Sequence, residues 1–241
     1  MRVLLLAVCL LALAAPTAQA GGINIAWGTR CWFDNPTALS TFACDSNDGT
    51  VSFTVSFNPA DDMDFRYLDA WIHFQSDSAE LPDWWQLTDP GGCREGSLSV
   101  SADTSATWHG CPNPWKGMPI THKFVKWSTS AFPYFDPVAA NRAKLRVSYA
   151  MAPPGVRIRR VYEYYGFTVT INFARTVGAE ACRGCSTPVT IVLNSVLTSG
   201  LRPLTTPLYN QCLRWQAGGV TPCSATPTRS STWGKLKSLY R

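Results

Sequence analysis

The 241-residue chain has little of what a recognisable enzyme displays. It holds three histidines, His73, His109 and His122, and none lies in an H-E-x-x-H zinc motif. No G-x-S-x-G nucleophile elbow and no P-loop occurs, so the best-marked hydrolase and nucleotidase sites are not written in this chain. Acidic residues are absent after Glu180, although Arg183, Arg202, Arg214, Arg229, Lys235, Lys237 and Arg241 follow it. Beyond residue 20 there is no apolar run long enough to cross a bilayer core of about 30 Å as a helix, so no transmembrane segment is expected. Helical periodicity is missing until the last dozen residues.

What is present starts with an address. "MRVLLLAVCLLALAAPTAQA" has Arg2, an apolar run from Val3 to Ala15, and an Ala18-Gln19-Ala20 cleavage site. Residues 1–20 read as a secretory signal peptide. Export to the periplasm, the cell surface or the medium follows. Residues 21–224 are expected to form one domain and 225–241 a basic tail. The tail could touch an anionic surface, but its acid-free stretch reads as solvated, and nucleic acid is not expected as a partner.

Removing Cys9 with the signal leaves eight cysteines: Cys31, Cys44, Cys93, Cys111, Cys182, Cys185, Cys212 and Cys223. In an exported chain they imply disulfides. They fall in sequence-local pairs, which predicts Cys31–Cys44, Cys93–Cys111, Cys182–Cys185 and Cys212–Cys223, with exchange among the last four open. The rival for "CRGC" is zinc or redox chemistry. A zinc ribbon wants a second short knuckle, and Cys212 and Cys223 are too far apart to form one. No metal is expected there.

Period-two alternation dominates the rest. Val51, Phe53, Val55 and Phe57 alternate with Ser52, Thr54 and Ser56. Leu68, Ala70, Ile72 and Phe74 do so with Asp69, Trp71, His73 and Gln75, and Ala143 to Tyr149 and Phe167 to Phe173 repeat the pattern. Weaker strands are expected near 23–27, 124–127 and 211–215. Turn clusters such as "SNDGT", "TDPGG" and "MAPPG" separate them. Each strand has one apolar face to bury against a second sheet. The predicted fold is an all-β, antiparallel β-sandwich of jelly-roll or immunoglobulin-like topology, stapled by disulfides.

Ten tryptophans are many for this length, and Trp84, Trp85, Trp108 and Trp115 flank the cysteines at 93 and 111. They are the candidate ligand-binding residues, for a carbohydrate or an envelope protein. Closure of the core is the competing role. Neighbours in extended chain point to opposite sides, so one of Trp84 and Trp85 is expected inside and the other at the surface. Asp61, Asp62 and Asp64 in "NPADDMDF" could hold Ca²⁺, and turn formation explains them equally. Glu80, Asp83 and Asp89 flank the Trp pair and could serve a glycosidase.

"CRGCSTPVTIVLNSV", preceded by "YYGFTVTINFARTVGAEA", is similar to the C-terminal part of a group of exported bacterial β-sandwich proteins with no assigned activity. The order of "LPDWWQL", "GCREGSLSVSA" and "NRAKLRVSYA" resembles the same group, and "TRSSTWGKLKSLYR" looks like its tail. The resemblance implies a bacterial, exported, one-domain protein and assigns no catalytic residue. The expected role is a non-catalytic binding or envelope-associated module. The alternative is a secreted polysaccharide hydrolase using the acids near the Trp loops.

Overall fold

The computed structural model describes residues 21–34, 37–87, 90–129, 139–199 and 203–217. The expected signal peptide, the tail at 225–241, Asp89 and Cys223 lie outside the described residues. Among the described residues twelve strands run in order: β1 (Gly22–Trp27), β2 (Leu39–Ser40), β3 (Thr50–Asn58), β4 (Met63–Phe65), β5 (Tyr67–Ser76), β6 (Leu98–Ser101), β7 (Ile120–Ser128), β8 (Arg142–Met151), β9 (Val156–Ile158), β10 (Tyr164–Asn172), β11 (Val189–Thr198) and β12 (Cys212–Trp215). One sheet has the order β1-β3-β10-β6 and the other β2-β12-β11-β5-β8-β7, while β4 and β9 form a small ribbon. All pairings between these strands are antiparallel except β2 with β12.

The two sheets bury the alternating residues against each other, as the period-two pattern requires. Phe53, Val55 and Phe57 of β3 face Leu68, Ala70, Ile72 and Phe74 of β5 across one core, and all seven are inaccessible to solvent. The chain is an antiparallel β-sandwich. Among the described residues no helix is long and apolar enough to cross a membrane.

The outer face of the four-stranded sheet departs from the sequence pattern. Thr54 and Ser56 are as buried as their apolar neighbours. They belong to a row of hydroxyls in which Ser52 meets Thr170 at 2.8 Å and Thr54 meets Thr168 at 3.2 Å. Thr54 also donates to the Gly28 carbonyl. The loops 28–34 and 103–117 lie over this face, so its polar side chains spend their hydrogen bonds inside the protein, as burial demands.

The cysteine pairing corrects the local expectation. The observed bonds are Cys31–Cys111, Cys44–Cys185 and Cys93–Cys182, with sequence separations of 80, 141 and 89. Cys212 is also disulfide-bonded. The two arms of "CRGC" go to different loops. Proximity in a sandwich is set by which loops share an end of the sheets, and those loops belong to strands distant in sequence.

Candidate functional site

The tryptophan pair is a plug. Pro82 precedes a single 3-10 turn, Asp83–Trp85, closed by the Trp85 N–H donating to the Pro82 carbonyl at 2.9 Å. In such a turn successive side chains diverge by about 120°, so neighbours need not face opposite ways. Both indoles are fully buried, which overturns the expectation that one would be exposed. Trp84 lies 4.9 Å from the Trp215 ring, and Trp85 meets Trp215 edge-on at 5.3 Å and Phe74 at 5.9 Å. The Trp84 indole N–H donates to the Thr176 hydroxyl at 2.9 Å.

Arg94 closes the plug from outside. Its guanidinium sits 3.6 Å over the Trp84 ring and donates to the carbonyls of Trp84, Asn172 and Ala174. Burial pulls its pKa down to about 9, so it is still charged at pH 7. The Cys93–Cys182 and Cys44–Cys185 bonds tie the surrounding loops, and the Trp84 N–H donates to the Arg183 carbonyl within "CRGC". Trp84 and Trp85 therefore offer no ring face to a ligand. Trp115 does not either, being fully buried with its indole donating to the Gly166 carbonyl at 2.7 Å.

Trp108 is different. It is 57% exposed, and it stands beside a cleft of about 340 Å³. The cleft lies toward the Asn58 and Tyr164 end of the sheet, whereas the plug lies toward the Thr50 and Asn172 end. Its walls come from five places in the chain: Phe33 after β1, Asn58 at the end of β3, Trp108 and Gly110 to Pro112, Val161 to Glu163 before β10, and Leu208 with Tyr209. Seven large apolar side chains are exposed among the described residues, and five of them, Phe33, Trp108, Val161, Tyr162 and Tyr209, border this one cleft. Scattered exposed apolar residues need no explanation, but a cluster does.

The loop that carries Trp108 is braced. Cys111 is bonded to Cys31, and the Cys31 N–H donates to the His109 carbonyl at 2.6 Å. His109 stacks on Tyr165 with centroids 4.0 Å apart. The Asn113 amide donates to the carbonyls of Asp103 and Ala106, and the Tyr165 N–H donates to the Pro112 carbonyl. Gly110 adopts φ +80°, and a Cβ there would lie 2.4 Å from Asp34 Cβ, so the close approach of the two stapled loops needs glycine.

One carboxylate lines the cleft. Glu163 accepts from the Asn24 amide at 2.7 Å and the Ser56 hydroxyl at 2.5 Å through Oε1, and from the Phe33 N–H at 3.2 Å through Oε2. Asn24 and Ser56 are fully buried, so the carboxylate is fixed in place by the row of polar residues under the loops. No Lys, Arg or His among the described residues forms an ion pair with it. Asn58 is 3% exposed and lines the same cleft, and its Oδ1 is buried without a hydrogen-bond partner.

The other candidates are dispersed. Asp62 accepts from the Arg160 N–H and Asp64 pairs with Arg157, while Asp61 is exposed. Among the described residues no three His, Cys, Asp or Glu side chains are grouped to hold a metal ion. Glu80 and Asp83 are exposed and outside the cleft. His73 is half-buried on β5 and His122 is exposed on β7. A more open depression lies between Val100 and Tyr149, but Lys123 and Tyr149 both spend their donors on the Val100 carbonyl.

Asp103 organises the loop beneath Trp108. Its carboxyl is held below the usual carboxylate value, first by the Ser105 hydroxyl, then by the Ser105 and Ala106 N–H groups and the nearby His109. His109 Nε2 stands 2.9 Å from Asp103 Oδ2, in contact without the angle of a good hydrogen bond. A lowered carboxyl pKa stabilises the fold above the unfolded value of about 4 and loses that contribution as pH falls through the folded value. Asp103→Asn is expected to cost about 1 kcal/mol at pH 7 and to flatten the loss of stability below pH 4, as read from denaturation curves across that range.

No protein-family model matches the sequence, and no curated protein matches it. Solved structures with some likeness include a type I cohesin–dockerin complex from Clostridium thermocellum, at 10% identity and a TM-score of 0.29 over 80% of this chain and 97% of that one. A non-cellulosomal cohesin from Archaeoglobus fulgidus has 9% identity and a TM-score of 0.27 over 80% of this chain and 89% of its own. At such scores the likeness carries no argument, and the sandwich assignment stands on the strand registers above.

Proposed function

We propose that the protein is an exported, non-catalytic binding module whose ligand docks in the cleft beside Trp108. The observation that carries this reading is the convergence of five exposed apolar side chains, four of them aromatic, on a cleft whose loops are held by a disulfide and by buried hydrogen bonds. An exposed indole on a rigid loop keeps its contact area at little entropic cost on binding. A volume of about 340 Å³ is within the range of small-ligand sites. The disulfides fit an oxidising compartment, in keeping with the signal peptide read at residues 1–20. A hydrolase of the glycosidase kind needs two facing carboxyl groups, and among the described residues Glu163 is the one acid lining this cleft.

The test is a titration of the mature protein with short saccharides and peptides, following Trp side-chain N–H signals by NMR, with Trp108 assigned from Trp108→Phe. A ligand is expected to shift the Trp108 signal saturably and to leave those of Trp84, Trp85 and Trp115 in place. Trp108→Ala is expected to weaken binding at least tenfold with unchanged melting temperature. A ligand that binds elsewhere, undisturbed by Trp108→Ala, would overturn the assignment of the cleft.

A further inference from the structure

We infer that the cleft receives a guanidinium group, carried by an arginine side chain of a partner polypeptide. This rests on the cleft being a binding site and names the chemistry it selects. Three features converge. Exposed ring faces attract cations through the ring quadrupole, and arginine is the side chain most often found over them. Phe33 and Tyr209 stand 6.4 Å apart at 52°, as two walls and not one flat platform. Glu163 places a fixed negative charge among these rings with no cationic partner in the described part of the chain. Its Oε2 has one acceptor site engaged, by a 3.2 Å bond from Phe33. That oxygen calls for a further N–H donor.

The protein assembles the same set within itself. On the outer face of β5 and β8, Arg146 donates two parallel bonds to Asp69, at 3.0 and 2.7 Å, and lies 5.1 Å from the Trp71 ring and 5.5 Å from the Phe124 ring. A planar guanidinium satisfies a carboxylate through its fork while its face stays on an aromatic ring. The cleft repeats the carboxylate and the rings, and among the described residues no guanidinium joins them. A quaternary ammonium would use the rings and the charge but has no N–H to donate to Glu163 Oε2. A neutral sugar would use the rings and the acceptors but leave the charge of Glu163 uncompensated in a partly desolvated place.

The experiment compares Nα-acetyl-arginine methylamide with its neutral isostere, Nα-acetyl-citrulline methylamide, on the mature protein, with the Trp108 side-chain N–H signal as the readout. Tetramethylammonium, the lysine analogue and the saccharides of the preceding section are further arms. The arginine compound is expected to shift Trp108 saturably, and citrulline is expected to bind roughly tenfold or more weakly. Glu163→Gln is expected to bring arginine to the citrulline level. Since Glu163→Gln also touches the buried Asn24 and Ser56, its melting curve accompanies it, and the comparison of the two compounds on the unaltered protein decides if the variant unfolds. Equal binding of citrulline, or stronger binding of tetramethylammonium, overturns the guanidinium assignment and leaves the cleft a binding site. Saturable saccharide binding with no response to arginine does the same. No response of Trp108 in any arm removes both the assignment and the binding-module reading. A Trp108 signal already at its bound position that moves when residues 229–241 are deleted would make the chain's own tail the occupant and overturn the partner.

Discussion

Replacing Trp84 with alanine is expected to destabilise the protein by about 3–5 kcal/mol, the range for removing a large core aromatic. The change would remove the packing against Trp215 and Trp85, the hydrogen bond to Thr176 and the ring under Arg94. The guanidinium would then lie buried over a cavity, still charged, with its three carbonyls as its remaining contacts. A domain of ordinary stability has about 5–15 kcal/mol in total, so the variant is expected near its limit at 37 °C. Trp108→Ala is expected to change stability by less than about 0.5 kcal/mol, as for surface positions. Urea denaturation of the two variants side by side checks this contrast. A loss below about 1 kcal/mol for Trp84→Ala would mean that the plug does not close the core.

Removing the Cys44–Cys185 bond by paired alanine substitution is expected to cost about 2–5 kcal/mol, because a cross-link of this span restricts the unfolded chain strongly. That bond spans 141 positions, whereas a Cys31–Cys44 bond would have spanned thirteen. Peptide mapping without reduction is expected to recover Cys31 with Cys111, Cys44 with Cys185, and Cys93 with Cys182. Recovery of Cys93 with Cys111 instead would contradict the fold, since it would pull the loop bearing Trp108 onto the plug. Thermal melts with and without reductant give the size of the effect.

The two tryptophan sites were unequally legible. In "LPDWWQL" the residue types pointed to burial or stacking, but only the 3-10 turn shows that both indoles face inward. The cleft was harder to read. Trp108 was in view, whereas Phe33, Asn58, Tyr162, Glu163 and Tyr209 were not, because they come from four other segments that meet it only in space. "RVYEYYGF" carried a usable signal. Glu163 is the one acid between Asp136 and Glu180, and it stands among tyrosines at the mouth of a strand.

The sequence by itself determined the strands. Side chains alternate sides along an extended chain whatever surrounds them, so Phe53, Val55 and Phe57 had to share a face and that face had to be buried. Cysteine number in the same way announced a stapled molecule. The tertiary structure alone decided what lies on the other face. Thr54 and Ser56 look like solvent-facing residues in the alternation, yet two loops joined by Cys31–Cys111 fold over them, so that the Thr54 hydroxyl holds the Gly28 carbonyl and the Ser56 hydroxyl supports Glu163. A local pattern records which side of a strand is apolar. Which distant loop covers the polar side, and which cysteine lies within reach of which, depends on the order of the strands in the sheets, and contacts so far apart in the chain leave no periodic trace in it.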